Sequence, residues 1–183
     1  MNIVFFTHIV LSTFNNFLLP KDCYNGREYN YKNIQIGEML MITVHNVAGY
    51  FLHKACEDEE SLTNLKLQKL TYYAQAFHLA IFGTPLFKEE FEAWMHGPVC
   101  PELYRAYKSN GSAPIPPNGS FDDGIFSEDQ IQLLDEVNSV YGQFSAWKLR
   151  NISHEDAPWQ EKEDTGGIIE KSKMMEFYKS RLL

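Results

Sequence analysis

The chain has 183 residues, a formal charge of −8, 44% hydrophobic and 14% aromatic side chains. That length allows one domain with a real apolar core and no help from disulfides or metal. The acidic balance makes the chain a poor candidate for non-specific grip on nucleic acid through Lys and Arg; it suits either simple solubility or a basic protein partner.

Residues 1–19 are apolar, but Thr7, His8, Ser12, Thr13, Asn15 and Asn16 interrupt them, and the first Lys is Lys21. Neither a signal peptide, which needs a basic start, nor a membrane span fits that pattern. Residues 1–40 carry three basic and three acidic side chains, so the whole net charge falls on residues 41–183. We expect residues 1–40 to be a leader outside the native domain, with translation starting at Met41. Gly37-Glu38 suits a purine-rich coding stretch at ribosome-binding distance upstream of that codon. A mass spectrum of the native protein that contains peptides from residues 1–40 would rule this out.

From Val44, the apolar positions Val47, Ala48, Phe51, Leu52 and Ala55 recur at helical spacing and predict an amphipathic helix ending near Cys56. The acidic run Glu57–Glu60 reads as a solvated turn. Ser61 or Thr63 then caps a second helix. Its seam of Leu67, Leu70, Ala74, Phe77 and Ile81 is joined by a second flank of Leu65, Tyr72 and Leu79. A helix apolar on two sides belongs at the centre of its domain, and Gly83 is placed to end it in a left-handed cap. Gln75 lies off the seam, on a side read as facing a partner.

Pro85–Phe87 and Phe91–Trp94 are expected to be two short strands around Lys88-Glu89-Glu90, with a turn forced at Gly97-Pro98. Pro101 and Glu102 open a third helix. Ser109–Asp123 is rich in Gly, Pro, Ser and Asn and reads as a surface loop. Ser127 and Gln130 form a capping box, Ser145 caps a short helix to Ile152, and Asp156–Trp159 breaks it. Gly166-Gly167 reads as flexible, and a last helix carries Met174, Phe177 and Tyr178. The fold class is therefore mainly α: a compact single-domain helical bundle with a small β-hairpin between the second and third core helices.

Chemistry is sparse. The three cysteines form no CxxC and fit a reduced, cytoplasmic protein. His45 and His53 are two turns apart, and there is no HExxH or finger spacing, so no structural metal is expected. No Gly-rich phosphate loop occurs, and no cofactor is expected. His96, Cys100, Glu102 and His154 are the one set that invites a Cys/His enzyme reading, with Cys100 near a helix start that favours thiolate. The basic group Lys171, Lys173, Lys179 and Arg181 reads as dipole complementation at a helix end rather than a nucleic-acid contact. Trp94, Trp147 and Trp159 read first as core indoles and second as interface anchors. His96 and His154 read first as hydrogen-bonders that pin turns.

Several motifs run together: Asn64–Leu70, Tyr72-Tyr73-Ala74-Gln75, Pro85-Leu86-Phe87, Glu92-Ala93-Trp94, His96-Gly97-Pro98-Val99, Pro101–Tyr104, Ser153-His154 and Pro158-Trp159. In this order, from Met41 to about Tyr178, the chain resembles the Panacea domain family, which includes SocA-type antitoxins and phage-associated GepA-like members. Two departures are mild: His96 with Met95, and Ser153 before the late histidine, where members often carry Tyr or Lys and Thr. The resemblance implies a helical domain with no enzyme activity that neutralises a cognate toxin by direct binding. In SocA-type members it implies a proteolytic adaptor that presents the toxin to a AAA+ protease such as ClpXP. It marks Tyr72, Tyr73, Gln75, Trp94, His96, Gly97, Pro98, Glu102, Tyr104, His154 and Trp159 as candidate partner-binding or motif residues. A phage-associated interaction module without a toxin is the alternative. No membrane partner is expected.

Overall fold

The computed structural model describes residues 42–116 and 121–182. The expectation of a separate leader falls on residues 1–40, outside the described part. Within it the chain is mainly helical, with seven α-helices and one small sheet.

Helix α1, Val44–Glu57, starts from a capping box in which Thr43 and Asn46 satisfy each other's amides. Its first amide, on Val44, also donates to the buried carboxylate of Glu89 at 3.3 Å, tying the helix start to a loop far along the chain. Helix α2, Asn64–Phe82, is capped by Thr63 and closed by Gly83 at φ +72°, as its sequence predicts. It is buried on every side from Leu67 to Ala80. The remaining elements gather around it, α7 most extensively.

Strand β1, Phe91–Trp94, pairs antiparallel with β2, Gly97–Val99, through a turn at Met95-His96. Gly97 and Pro98 are therefore strand residues and do not form the turn. A third strand, β3, Ile168–Ile169, lies on the other side of β1 and gives the order β2-β1-β3. The Gly166-Gly167 segment, read as flexible, is fixed here: the Gly167 carbonyl accepts from Ala93 N at 3.0 Å.

Pro85–Phe87 is not a strand. Gln75, from the middle of α2, takes both of its amides: its Oε1 accepts from Leu86 N at 2.8 Å and Phe87 N at 3.3 Å, while its Nε2 donates to Phe87 O at 2.9 Å. A side chain that satisfies the backbone this fully removes the need for a ladder partner.

Helix α3, Pro101–Tyr107, follows β2 directly with Pro in its first turn. After it come α4, Glu128–Tyr141, with the expected Ser127/Gln130 capping box, and α5, Ala146–Ser153, capped by Ser145. Asp156 precedes the single turn of α6, Ala157–Gln160, and α7, Lys171–Lys179, ends the domain. Met174 and Tyr178 are its buried positions.

Candidate functional site

The motif residues divide into an interior group and a surface group. Tyr72, Tyr73 and Gln75 are in the core. Gln75 is the clamp described above, and no partner reaches it in this conformation. Tyr72 and Tyr73 join Tyr141 and Tyr178 in an aromatic cluster: Tyr73 stacks on Tyr141 at 3.9 Å, and Tyr72 meets Tyr178 edge-on at 6.2 Å. Asp156 is buried beside this cluster and accepts a 2.5 Å hydrogen bond from the Tyr178 hydroxyl. Burial pushes the Asp156 carboxyl up to about 7, against the opposing effect of that hydrogen bond. Burial first, and then the charge of Asp156, hold the phenols of Tyr72, Tyr73 and Tyr178 well above their usual range.

The surface group is organised by the β1–β2 turn. Beneath it Lys69, 0% exposed, donates from Nζ to the Pro98 carbonyl at 2.7 Å. Burial, with Arg150 adding repulsion, lowers its pKa to about 7. Gln68 braces the chain two residues further on, its Oε1 accepting from Cys100 N at 2.8 Å. Gly97 adopts φ +89°, and a Cβ there would lie 2.6 Å from Ser153 Oγ and 3.0 Å from Lys69 Nζ. The glycine of the His-Gly-Pro motif is thus required twice, by its backbone conformation and by the close approach of α5 and the lysine.

Trp159 is buried, donates from Nε1 to the Trp94 carbonyl at 3.2 Å, and stacks on the His154 ring at 3.7 Å. Arg150 reaches the Met95 carbonyl at 3.3 Å. Burial, followed by the charges of Arg150, Lys69 and His96, lowers the His154 pKa to about 4, so this imidazole is neutral at physiological pH. Trp94 is half-buried on the outward face of β1, with its indole N–H on Glu92 Oε2 at 2.8 Å and its ring edge-on to Tyr104 at 5.1 Å. Glu102 is exposed on α3 and faces His45 at 3.4 Å.

These residues frame an open cleft of about 660 Å³. Trp94, Met95, Arg150, His154 and Trp159 line it together with Glu163 and Asp164. The structure thus brings Trp94, His154 and Trp159 together at the cleft, with His96 in the adjoining turn, Gly97 and Pro98 at the start of β2, and Tyr104 against Trp94. It does not bring in Tyr72, Tyr73, Gln75 or Glu102. Reading the sequence missed Lys69, Arg150, Glu163 and Asp164. A signal for Lys69 was present: a lysine on a helix apolar on two sides has no solvent-facing stripe to occupy.

Cys100 does not have the character of a nucleophile. It is buried, and burial pushes its thiol up despite the Leu103 and Glu102 amides that favour thiolate. Among the described residues, no group of three or more His, Cys, Asp or Glu side chains is placed to hold a metal ion, and no helix is long and apolar enough to cross a membrane.

A mainly helical domain, with a small sheet docked on its central helix and an aromatic cleft at the sheet's turn, is the class that fold and surface define. The chain belongs to the Antitoxin SocA-like, Panacea domain family, which it matches over residues 67–160. It is 34% identical over 125 residues to Antitoxin SocA of Caulobacter vibrioides (strain NA1000 / CB15N). That match spans 62% of this chain and 66% of the relative, just under two thirds of the relative's length. No solved structure matches the chain. The matched range holds every residue of the cleft up to Trp159, while Glu163, Asp164 and Gly166 lie beyond it.

Proposed function

We propose that this protein is a cytoplasmic antitoxin that neutralises a cognate protein toxin by binding it directly. The observation that carries the reading is family membership together with the 34% identity to an antitoxin. The geometry supports it. The thiol that would have served a Cys/His enzyme, Cys100, is buried in the core with its pKa raised, and Glu102 lies on the surface facing His45. What remains outward is an aromatic, partly charged surface of the kind that protein interfaces use. A further role as adaptor, handing the toxin to a AAA+ protease, belongs to the same proposal, since an adaptor must first bind its cargo.

Co-expression tests it. The full chain is expressed with each neighbouring open reading frame, and growth is scored. The reading expects one neighbour to be toxic alone and harmless in the presence of this protein. Rescue accompanied by falling toxin levels, and lost in a protease-deficient host, identifies the adaptor mode. No toxic neighbour contradicts the reading and favours an interaction module without a toxin.

A further inference from the structure

The exposed large apolar side chains of the described residues are Met95, Tyr104, Trp147 and Ile168. All four border the small sheet. Met95, 76% exposed, forms the β1–β2 turn and lines the cleft. Trp147, 60% exposed, packs edge-on against His96 of the same turn at 5.6 Å. Tyr104 touches Trp94. Ile168, 52% exposed, lies opposite Glu92 in the β3–β1 ladder. Single exposed apolar residues need no explanation, but a group gathered around one small sheet does.

The polar groups of the cleft are arranged unequally. Arg150 donates to the Met95 carbonyl and to Asn151, both neutral, so its positive charge stays in the cleft, and its buried Nε has no partner among the described residues. His154 is stacked on Trp159 and neutral at physiological pH. Glu163 and Asp164 are exposed residues of the cleft lining, and among the described residues neither carries an ion pair or a side-chain hydrogen bond. Two carboxylates against the one guanidinium of Arg150 leave the cleft lining net negative, as is the whole chain at −8. Carboxylates without a partner, beside the half-buried Trp94, are surroundings that attract the ammonium or guanidinium of a Lys or Arg.

We infer that this face is the toxin-docking surface, and that it receives a Lys or Arg side chain of the toxin on the Glu163 and Asp164 carboxylates of the cleft, with neighbouring apolar toxin residues on Met95 and Trp147. Charge complementarity selects this occupant. The inference rests on the antitoxin reading.

The test uses the full-length protein and the purified toxin whose growth arrest it relieves. Affinity is measured for the wild type, Trp147→Ala, the double substitution Glu163→Lys/Asp164→Lys, and a control of equal charge change on α4, Glu128→Lys/Asp129→Lys. The cleft variants alter exposed side chains, so a melting curve and circular dichroism verify the fold. The expected result is at least a tenfold loss for Trp147→Ala and for the Glu163/Asp164 pair. The wild-type complex should weaken with added salt, and the α4 control should bind within about threefold of wild type. Unchanged toxin affinity in both cleft variants overturns the surface while leaving the antitoxin reading intact. Absence of binding by the wild type overturns both. Self-association lost in the cleft variants, with toxin binding unchanged, assigns the face to a second copy and also overturns the inference.

Discussion

Lys69 Nζ, fully buried in the central helix, donates to the carbonyl of Pro98 in the second strand at 2.7 Å. This bond fixes the sheet, and with it the Met95-His96 turn, to the core. Its pH dependence follows from the native pKa of about 7 against 10.5 for a free lysine. Between those values the unfolded chain holds a proton that the native protein lacks, so this group makes stability rise with pH across that window. At pH 7 and below, most or all of the penalty of a buried ammonium is present. Urea unfolding at pH 7 and pH 9.5 should show wild type gaining stability relative to Lys69→Met as pH rises, by an amount on the order of a few kcal/mol. Parallel behaviour of the two proteins would mean that the lysine is solvated.

Asp156 and His154 have opposite effects at lower pH. Asp156 has its pKa raised from 3.8 to about 7, so the native state holds the extra proton and stability falls as pH rises through that range. His154 has its pKa lowered from 6.5 to about 4, so the unfolded state holds the extra proton and stability rises between those values. Relative to wild type, Asp156→Asn should therefore gain stability as pH rises from 4 to 6.5, and His154→Phe should lose it. Thermal melts across pH 4–7 check both signs.

Gly97→Ala should destabilise by about 1–3 kcal/mol, since the new methyl group meets Ser153 Oγ and Lys69 in a conformation that L residues avoid. Gly83→Ala is the comparison: its φ is +72° with nothing within 4 Å, so only the backbone strain of the helix cap is felt, about 1 kcal/mol. Equal losses at the two positions would mean that packing beneath the turn contributes nothing.

Tryptophan substitutions should rank by burial. Trp159→Ala removes a buried indole, its bond to the Trp94 carbonyl and the His154 stack, and should cost about 3–5 kcal/mol. A similar cost for Trp94→Ala would need a buried indole, and this one is half-buried with its N–H on an outward glutamate, so a smaller loss is expected. Trp147→Ala should leave the melting temperature nearly unchanged. Chemical denaturation of the three variants decides the order.

Gln75→Leu should cost about 1–3 kcal/mol for each buried group left unpaired at Leu86 and Phe87. A loss of toxin binding at full stability would instead place Gln75 on the contact surface.

Much of the helical framework is legible in the sequence because the signals are local. Thr63, Gly83, Ser127 and Ser145 cap where their chemistry predicts, and the two-sided apolar pattern marks α2 as central. The sheet is less legible because its pairings are not local. Ile168-Ile169 joins Phe91-Glu92 from far along the chain, and Pro85–Phe87 loses its strand character to a glutamine ten or more residues earlier. Gln68, Lys69 and Gln75 are the instructive cases. Polar residues within an all-round buried helix act as clamps on neighbouring backbone, whereas an offset from the apolar seam alone places Gln75 at a surface. The cleft is only half legible: its indoles and His154 fall in recognisable motifs, while Arg150, Glu163 and Asp164 converge through tertiary packing.

Size-exclusion chromatography and titration calorimetry of the purified full chain with the purified toxin test the central claim most directly. The account predicts a stable complex of defined stoichiometry that suppresses toxin activity with no protease present. Relief of toxicity in cells without any complex between the purified proteins would contradict neutralisation by direct binding.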